Sequence, residues 1–293
     1  MSKDFQLYGI FGFPLGHTLS PAMQETAFKA LGLKAFYLPF EVRPEEFRRV
    51  MRGARRLLLD GFNVTVPYKG SVVPYLHPTR EARAIGAVNT VYRKNGGWVG
   101  ANTDLYGFLT SLRQEGKFSP RGRKILILGA GGSARAAVYG LAKEGAREIR
   151  IANRHPDRAG KMVRDFQPLF RRTLFQALSL KKKDLVRGLE GADLVVNATP
   201  MGLKPADGSP VPAALVPRRS AGKHLLFFDL IYHRPTRFLK VAKQKGHRTV
   251  TGLGMLVYQG AEAFRLWTGK KAPVEVMRAA VKDVIARSGA TKQ

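Results

Sequence analysis

A short segment in the first quarter of the chain carries several polar side chains along what should be a strand. In GFNVTVPYKG, residues 61–70, valines alternate with polar residues until a proline ends the run. The polar residues are Asn63, Thr65 and Lys69, which supply an amide, a hydroxyl and an ammonium. These groups are able to hydrogen-bond the hydroxyl groups of a small ligand.

Three further polar clusters lie in the same part of the chain. They are Thr18 and Ser20 in GHTLSP (16–21), Asn89 in AVNTV (87–91) and Asp104 in GANTDLYGF (100–108). Ser20 and Asp104 could instead be helix N-caps. Asn89 could be a turn residue, and Lys69 a solvated surface lysine. Taken together, the four clusters favour a set of donors and acceptors for a small, hydroxyl-rich ligand.

A glycine-rich turn indicates a second kind of site. GAGGSA follows the apolar run KILILGAG (124–131) and opens the helix-like stretch SARAAVYGLAKEGA (133–146). It fits the G-x-G-x-x-A fingerprint, in which the glycines let a pyrophosphate reach the helix N-terminus. The residues concerned are Gly129, Ala130, Gly131, Gly132, Ser133 and Ala134. We predict a dinucleotide site here, against the alternative of a purely structural turn.

The end of the next predicted strand, EIRIANR (148–154), bears on the choice of dinucleotide. Enzymes that use NAD usually place Asp or Glu there, about 20 residues after the glycines, to bind the ribose hydroxyls. This chain has Asn153 and Arg154, followed by Arg158. A guanidinium is able to pair with a 2′-phosphate through two hydrogen bonds, whereas both arginines could also be ordinary surface residues. The pattern favours NADP over NAD.

The elements that carry these residues alternate between strand and helix. Beyond residue 122, apolar runs separated by helical stretches predict βαβ units and a mainly parallel sheet covered on both faces. The first hundred residues also alternate, with strands at 6–12 and 34–42 and helices at 20–33 and 44–58. The linker SPRGR (119–123) marks the main domain boundary. The chain is strongly helical after residue 255.

Composition narrows the class of protein. A chain of 293 residues favours two domains, and without cysteine it forms no disulfide or thiolate metal site, so no metal is expected. The net charge of +29 is spread along the chain with no nucleic-acid motif, which favours a solvated basic surface over nucleic-acid binding. With no signal-peptide pattern and no apolar run of the roughly 18–20 residues that span a bilayer, we expect a cytoplasmic protein without membrane contact.

The motifs together resemble the shikimate dehydrogenase family over nearly the whole chain. They are GHTLSP, NVTVPYK, GAVNT, NTDLYG, GAGGSAR, NRHPDRA, NATPMG, FDLIY and GLGMLVYQGAEAF. The resemblance implies NADPH-dependent reduction of 3-dehydroshikimate to shikimate, in the pathway to aromatic amino acids. It also implies an α/β fold of two domains. Residues 1–116, completed by helices in 255–293, would bind substrate, and 117–254 would be a Rossmann-type, doubly wound NADP domain, with the active site in the cleft between them.

The resemblance assigns roles to individual residues. Lys69 and Asp104 would be the catalytic pair, with the lysine as proton donor in the reduction. The substrate-binding residues would be Thr18, Ser20, Thr65, Lys69, Asn89, Asp104, Tyr232 and Gln259. The cofactor-binding residues would be 129–134, Asn153, Arg154, Arg158, Thr199, Leu230 and Gly252. Gln259 could otherwise be a polar residue on an exposed helix face.

Several departures from the family pattern leave alternatives open. Thr18 stands where the family usually has serine, and its methyl group could change the balance between shikimate and quinate. His155 replaces a usual threonine, and the segment after Tyr232 is about one residue short, so the role of Thr236 stays open, as does that of Asn63. The rival functions are a quinate or dual quinate/shikimate dehydrogenase, and a non-catalytic nucleotide-sensing or nucleic-acid-binding protein. The protein is expected to be a monomer or homodimer.

Overall fold

The computed structural model describes residues 5–16, 18–53, 58–219 and 225–290. The chain forms two compact units: Met1–Gly107 with Val257–Gln293, and Phe108–Leu256. It passes from one unit to the other inside α4 (Thr103–Gln114) and again inside α9 (Leu253–Thr268). The first limit, after Gly107, falls nine residues before the predicted limit at 116, and the second, after Leu256, falls two residues after the predicted limit at 254.

The first unit is built on a mixed sheet. Its strands, among the described residues, are β1 (Gln6–Gly12), β2 (Ala35–Glu41), β3 (Gly61–Val64), β4 (His77–Pro78), β5 (Thr90–Lys94) and β6 (Gly97–Ala101). Its remaining helices are α1 (Ser20–Ala30), α2 (Pro44–Gly53), α3 (Arg80–Ile85) and α10 (Val274–Ala290). The strand order is β2-β1-β3-β5-β6-β4. Strand β1 runs parallel to both of its neighbours, whereas β5 is antiparallel to β3 and to β6.

Local sequence explains the hairpin that makes this sheet mixed. Strands β5 and β6 are joined by Asn95 and Gly96, and both have positive φ, 49° and 74°. An Asn-Gly pair adopts this type I′ geometry readily, and its twist matches that of the flanking strands. Because β5 and β6 are antiparallel, Asn89 just before β5 and Thr103 just after β6 lie next to each other at the open end of the hairpin. This end carries polar clusters predicted from the sequence.

Strand β3 places the GFNVTVPYKG segment in the middle of the first sheet. All four of its residues are buried, and Asn63 pairs with Thr90 of β5. A Cβ atom at Gly61 would overlap the Trp267 indole, so only glycine allows this helix residue to pack against the strand. The Val66–Pro67 peptide bond that follows is cis.

The second unit holds a parallel sheet. Its strands, within the described ranges, are β7 (Lys124–Leu128), β8 (Glu148–Asn153), β9 (Leu174–Ser179), β10 (Leu194–Asn197), β11 (Leu226–Asp229) and β12 (Arg248–Val250). Its helices are α5 (Gly132–Lys143), α6 (Pro156–Phe166), α7 (Lys182–Leu189) and α8 (Arg237–Gln244). The strand order is β12-β11-β10-β7-β8-β9, and all five pairs of neighbouring strands are parallel. This is the order of a doubly wound Rossmann-type sheet. The predicted fold class is confirmed.

Alternation along the strands explains why helices cover both faces of this sheet. On β7, Ile125 and Ile127 belong to one core together with α5 and α6. Leu126 and Leu128 belong to a second core with α7 and α8. Successive side chains of a strand point to opposite faces, so an unbroken apolar run requires cover on both.

Several details differ from the sequence-based predictions. Leu19, not Ser20, is the N-cap of α1, and Ser20 makes no side-chain capping bond there. The helix predicted over 44–58 ends at Gly53, and residues 54–57 of that prediction lie outside the described residues. Strands β9 and β12 were not predicted, because both are edge strands without a long apolar run. No helix in the described part of the chain is long and apolar enough to cross a membrane.

Candidate active site

Lys69 and Asp104 form an ion pair in the first unit. The Lys69 Nζ atom donates to Asp104 Oδ2 at 2.6 Å, and the two side chains are 14% and 6% exposed. Lys69 is therefore not a solvated surface lysine. Asp104 is not the helix cap either, because the Asn102 Oδ1 atom accepts the Leu105 N–H at the start of α4. Both structural alternatives for this pair are wrong.

Asn89 links the ion pair to neighbouring polar groups. Its Nδ2 atom lies 3.0 Å from Asp104 Oδ1, 3.0 Å from Thr103 Oγ1 and 3.2 Å from Gln259 Oε1. Its Oδ1 atom accepts the Thr103 N–H at 2.6 Å. An amide nitrogen has only two hydrogens, so these three oxygens compete for them. Thr103 Oγ1 also lies 3.3 Å from Asn89 Oδ1 and 3.4 Å from Gln259 Oε1, so Asn89, Thr103, Asp104 and Gln259 form one hydrogen-bonded network.

Gln259 reaches this cluster from α9. The helix is apolar over most of its surface, with Met255, Val257 and Phe264 buried, and Gln259 itself is only 9% exposed. The exposed-face alternative for Gln259 is therefore wrong. On the same helix the Gly260 carbonyl accepts a hydrogen bond from Gln24 of α1 at 2.9 Å, which ties the two helices together at this position.

Asn63 forms a layer behind the cluster. It is 5% exposed, and its Nδ2 atom donates to the Asn89 carbonyl oxygen and to Thr90 Oγ1, both at 3.0 Å. Its Oδ1 atom accepts from the Tyr37 hydroxyl at 2.7 Å. Both hydrogens and the oxygen of the amide thus have protein partners. The sequence left the role of Asn63 open. In the structure its side chain hydrogen-bonds the main chain at Asn89 and is used up by protein partners, as in a structural residue.

Other predicted substrate residues lie outside this hydrogen-bonded cluster. Thr18 is half-buried, and its Oγ1 atom accepts from the Ser20 N–H at 3.4 Å. Thr65 is half-buried directly after β3, where its N–H donates to the Phe11 carbonyl at 2.8 Å. Tyr232 belongs to the second unit, where burial raises the pKa of its hydroxyl. The hydroxyl of Tyr37, whose pKa burial also raises, makes a hydrogen bond with Ser20 that partly opposes this shift.

The glycine-rich turn of the second unit has the geometry that its sequence predicts. It begins at the carboxyl end of β7, between the strands β8 and β10 where the chain reverses its winding direction. Gly129 has a φ of 109°, and a Cβ there would lie 2.8 Å from the Ala198 carbonyl oxygen. Gly131 is the N-cap of α5, and a Cβ there would meet no atom within 4 Å. The turn therefore packs tightly on one side and leaves space in front of a helix N-terminus, which fits a dinucleotide pyrophosphate.

The other predicted cofactor residues follow parallel strands of the same sheet. Asn153, Arg154 and Arg158 lie at or after the end of β8, and both arginines are exposed. Thr199, Leu230 and Gly252 follow β10, β11 and β12, respectively. The carboxyl ends of parallel strands share one edge of the sheet, so the structure brings these residues to the edge that carries the glycine-rich turn.

Sequence reasoning missed several polar residues that hold these sites. In the first unit these are Tyr37, Thr90 and Thr103, and in the second unit Asn197 and Asp229. The signal for the second pair was present in NATP and FDL, where a polar residue ends an apolar strand. Thr236, whose role stayed open, caps α8 and donates to Asp229 Oδ2 at 2.5 Å.

The fold and the sites define a dinucleotide-dependent α/β oxidoreductase: one unit has a Rossmann-type sheet, and the other a largely buried lysine–carboxylate pair among polar side chains. Three family models match the chain in order. They are the shikimate dehydrogenase substrate binding domain (10–91), shikimate/quinate 5-dehydrogenase (113–237) and the shikimate 5′-dehydrogenase C-terminal domain (252–282). The chain belongs to the shikimate dehydrogenase family, and the predicted family is confirmed.

Individual relatives match over almost their full length. A shikimate dehydrogenase (NADP(+)) of Methanopyrus kandleri is 48% identical over 285 residues, which cover 97% of each chain. A crystal structure of a shikimate dehydrogenase in complex with NADP+ has a TM-score of 0.85 at 36% identity and 96% coverage of each chain. The shikimate 5-dehydrogenase of Thermus thermophilus, in complex with NADP(H) and shikimate, has a TM-score of 0.81 at 36% identity. That match covers 95% of this chain and 99% of the other.

Proposed function

We propose that this protein is an NADP-dependent shikimate dehydrogenase, which reversibly reduces 3-dehydroshikimate to shikimate on the route to chorismate and the aromatic amino acids. The observation that carries the proposal is the largely buried Lys69–Asp104 pair, held by Asn89 in a network of hydrogen-bonded polar side chains. The relatives bear the name of this activity, so the predicted enzyme class and the predicted NADP cofactor are confirmed.

Lys69 is the proposed proton donor of the reduction. NADPH, when bound, supplies the hydride that converts the ketone to an alkoxide. An ammonium carries three N–H bonds, and one of them is directed at Asp104 Oδ2 at 2.6 Å. On this proposal the ammonium transfers a proton to the alkoxide oxygen of the substrate. In the oxidation the neutral amine takes the proton back, as reversibility requires.

Asp104 and its neighbours are proposed to orient the substrate ring. Asp104 accepts a hydrogen bond from Lys69 through Oδ2 and one from Asn89 through Oδ1. These two bonds fix the orientation of the carboxylate plane. A carboxylate fixed in this way is able to accept a hydroxyl of the substrate in one orientation only. Asn89, Gln259 and the hydroxyl of Thr65 would bind the remaining ring oxygens.

The substrate carboxylate is proposed to bind at the start of α1. Thr18 and Ser20 stand two positions apart, just before and at the first residue of this helix, where main-chain N–H groups favour an anion. The threonine at position 18 carries a methyl group that a serine lacks, so shikimate and quinate should be distinguished at this end.

The second unit is proposed to bind NADP. The pyrophosphate would lie at the N-terminus of α5, and the 2′-phosphate would pair with the exposed guanidinium of Arg154, assisted by Asn153 and Arg158. Thr199, Leu230 and Gly252 would contact the nicotinamide end. On this proposal Met1–Gly107 with Val257–Gln293 is the substrate-binding unit.

Two further properties belong to the proposal. The protein acts in the cytoplasm on small molecules, as a monomer or homodimer, and binds neither nucleic acid nor membranes. Its net charge of +29 would then serve to raise the encounter rate with the anionic substrate and cofactor.

A steady-state assay with a full set of substrates tests the function. Purified protein is offered shikimate or quinate, each with NADP+ or NAD+, and reduced cofactor is followed by absorbance. We expect the highest kcat/KM with shikimate and NADP+. A higher kcat/KM with quinate would replace the proposal by a quinate or dual-specificity dehydrogenase, and turnover with neither substrate would refute it.

A further inference from the structure

A buried carboxylate lies at the edge of the second sheet where the strands end and where the proposed cofactor residues follow them. Asp229 is the last residue of β11 and is fully buried. Its Oδ1 atom accepts from Asn197 Nδ2 at 3.0 Å and from the Ile231 N–H at 3.1 Å. Its Oδ2 atom accepts from Thr236 Oγ1 at 2.5 Å. One carboxylate therefore joins the end of β10, the segment after β11 and the start of α8.

The bonds continue to the residues proposed to contact the cofactor. The Asn197 Oδ1 atom accepts from both the main-chain N–H and the hydroxyl of Thr199, at 3.0 and 2.7 Å. The Leu230 N–H donates to the Asn197 carbonyl oxygen at 3.0 Å, and a Cβ at Gly252 would overlap the Leu230 carbonyl. The positions of Thr199 and Leu230 thus depend on a single hydrogen-bonded junction.

The donors around Asp229 explain why an acid is needed there. Asn197 Nδ2 and the Ile231 N–H act only as donors, and Thr236 is oriented to donate. A carboxylate is the one side-chain group that accepts through both of its oxygens without supplying a hydrogen. An amide in its place would meet Thr236 with an N–H and reverse that bond. Burial raises the pKa of Asp229 to about 6, so the carboxyl is ionised at neutral pH.

We infer that Asp229, together with Thr236 and Asn197, is a positioning centre for NADP: its hydrogen bonds set the places of Thr199 and Leu230 against the cofactor. Asp229 is buried and acts through these residues, so it is not a catalytic residue. The inference rests on the proposed function, because it concerns the affinity of the same cofactor site.

The test compares two substitutions of Thr236 in the full-length protein. Thr236→Val keeps the shape of the side chain and removes the bond to Asp229, whereas Thr236→Ser retains a hydroxyl. We expect Thr236→Val to raise the Kd for NADP+ by about tenfold, which corresponds to one hydrogen bond to a charged group, and to leave the KM for shikimate within about twofold. Thr236→Ser should restore the wild-type Kd to within about twofold.

A matched control separates this effect from the loss of a helix cap. Thr79 caps α3 in the first unit, where its Oγ1 accepts the Ala82 N–H at 3.2 Å. Thr79→Val removes a cap of the same kind and should leave the Kd for NADP+ unchanged. If Thr236→Val does not fold, Asp229→Asn is the second variant, since it keeps the volume and the two bonds to Oδ1, and it should raise the Kd less.

Titration calorimetry with NADP+ distinguishes the possible failures. Wild-type protein that binds no NADP+ would overturn the proposed function and this inference with it. Wild-type protein that binds, with an unchanged Kd in Thr236→Val or in Asp229→Asn, would overturn this inference alone. Equal increases in the Kd for NADP+ and the KM for shikimate in Thr236→Val would also overturn it, because they would indicate general destabilisation.

Discussion

Replacing Lys69 by methionine should abolish most turnover while leaving the cofactor site intact. The substitution keeps the unbranched stem of the side chain and removes only the ammonium. In the wild type this group lies 2.6 Å from Asp104 Oδ2 and is 14% exposed, so bulk water has little access to replace it as a proton donor.

The expected magnitude follows from these contacts. Loss of a positioned general acid lowers kcat by about 10²–10⁴-fold, or about 3–5.5 kcal/mol of barrier. Asp104 keeps its 3.0 Å bond from Asn89 but loses its charged partner. We therefore expect about 1–3 kcal/mol less stability, the usual range for a hydrogen bond between charged groups. The NADP+ Kd should stay within about twofold, because the proposed cofactor residues around the 129–134 turn belong to the other unit.

The assay combines steady-state kinetics, NADP+ titration calorimetry and thermal unfolding of the same preparation. Lys29→Met is a matched control, since Lys29 is an exposed residue of α1 in the same unit. Its kcat should equal that of the wild type. Turnover of Lys69→Met within about tenfold of the wild type would refute the role of Lys69 as proton donor. An equal loss of NADP+ affinity would show that the variant is misfolded rather than chemically impaired.

Three further changes test other parts of the structure. Arg154→Ala should raise the KM for NADPH by about tenfold and that for NADH little, because only NADPH offers a 2′-phosphate to the guanidinium. Asn63→Ala should cost about 2–4 kcal/mol in chemical denaturation, because the Tyr37 hydroxyl and Thr90 lose a buried partner. Burial raises the pKa of Asp229 from 3.8 to about 6, so the folded protein holds the carboxyl proton more tightly than the unfolded chain. The resulting contribution to the free energy of unfolding is present below about pH 4 and is lost as the pH rises through 6. Between about pH 4 and pH 7 the free energy of unfolding of the wild type should fall by about 2 kcal/mol relative to that of Asp229→Asn.

Each of these expectations has an opposing result. Equal KM changes for NADPH and NADH in Arg154→Ala would show that Arg154 does not contact the 2′-phosphate. The control is Arg172→Ala, at another exposed arginine of the same unit, which should change neither KM. An Asn63→Ala protein as stable as the wild type would contradict the structural role of this amide. A stability difference between wild type and Asp229→Asn that does not vary with pH would mean that Asp229 titrates at its ordinary pKa.

The sequence predicted the second unit more completely than the first. Apart from the edge strands β9 and β12, its strands are four to six residues long. Most of their residues are apolar, except in β8, where Glu148 and Arg150 alternate with isoleucines. The glycine-rich turn follows β7 as expected, since the fingerprint needs only local conformation. In the first unit the Asn95-Gly96 hairpin makes the sheet mixed, and the sequence-based prediction did not include this turn. The N-cap at Leu19 also differed from the prediction, because a cap depends on side-chain geometry that residue type alone does not fix.

By itself, the sequence determined the types and the order of the groups: the polar clusters around Lys69, Asn89 and Asp104, the glycine-rich turn, and arginines where an NAD enzyme would have an acid. Such patterns are local, because helix and strand periods, turns and fingerprints depend on neighbouring residues. Only the tertiary structure decided which groups meet. Asn89 lies 170 positions from Gln259 and yet hydrogen-bonds it, and Asn63 has protein partners on every side. Contacts between distant residues depend on how sheets and helices pack, and no local pattern encodes that packing.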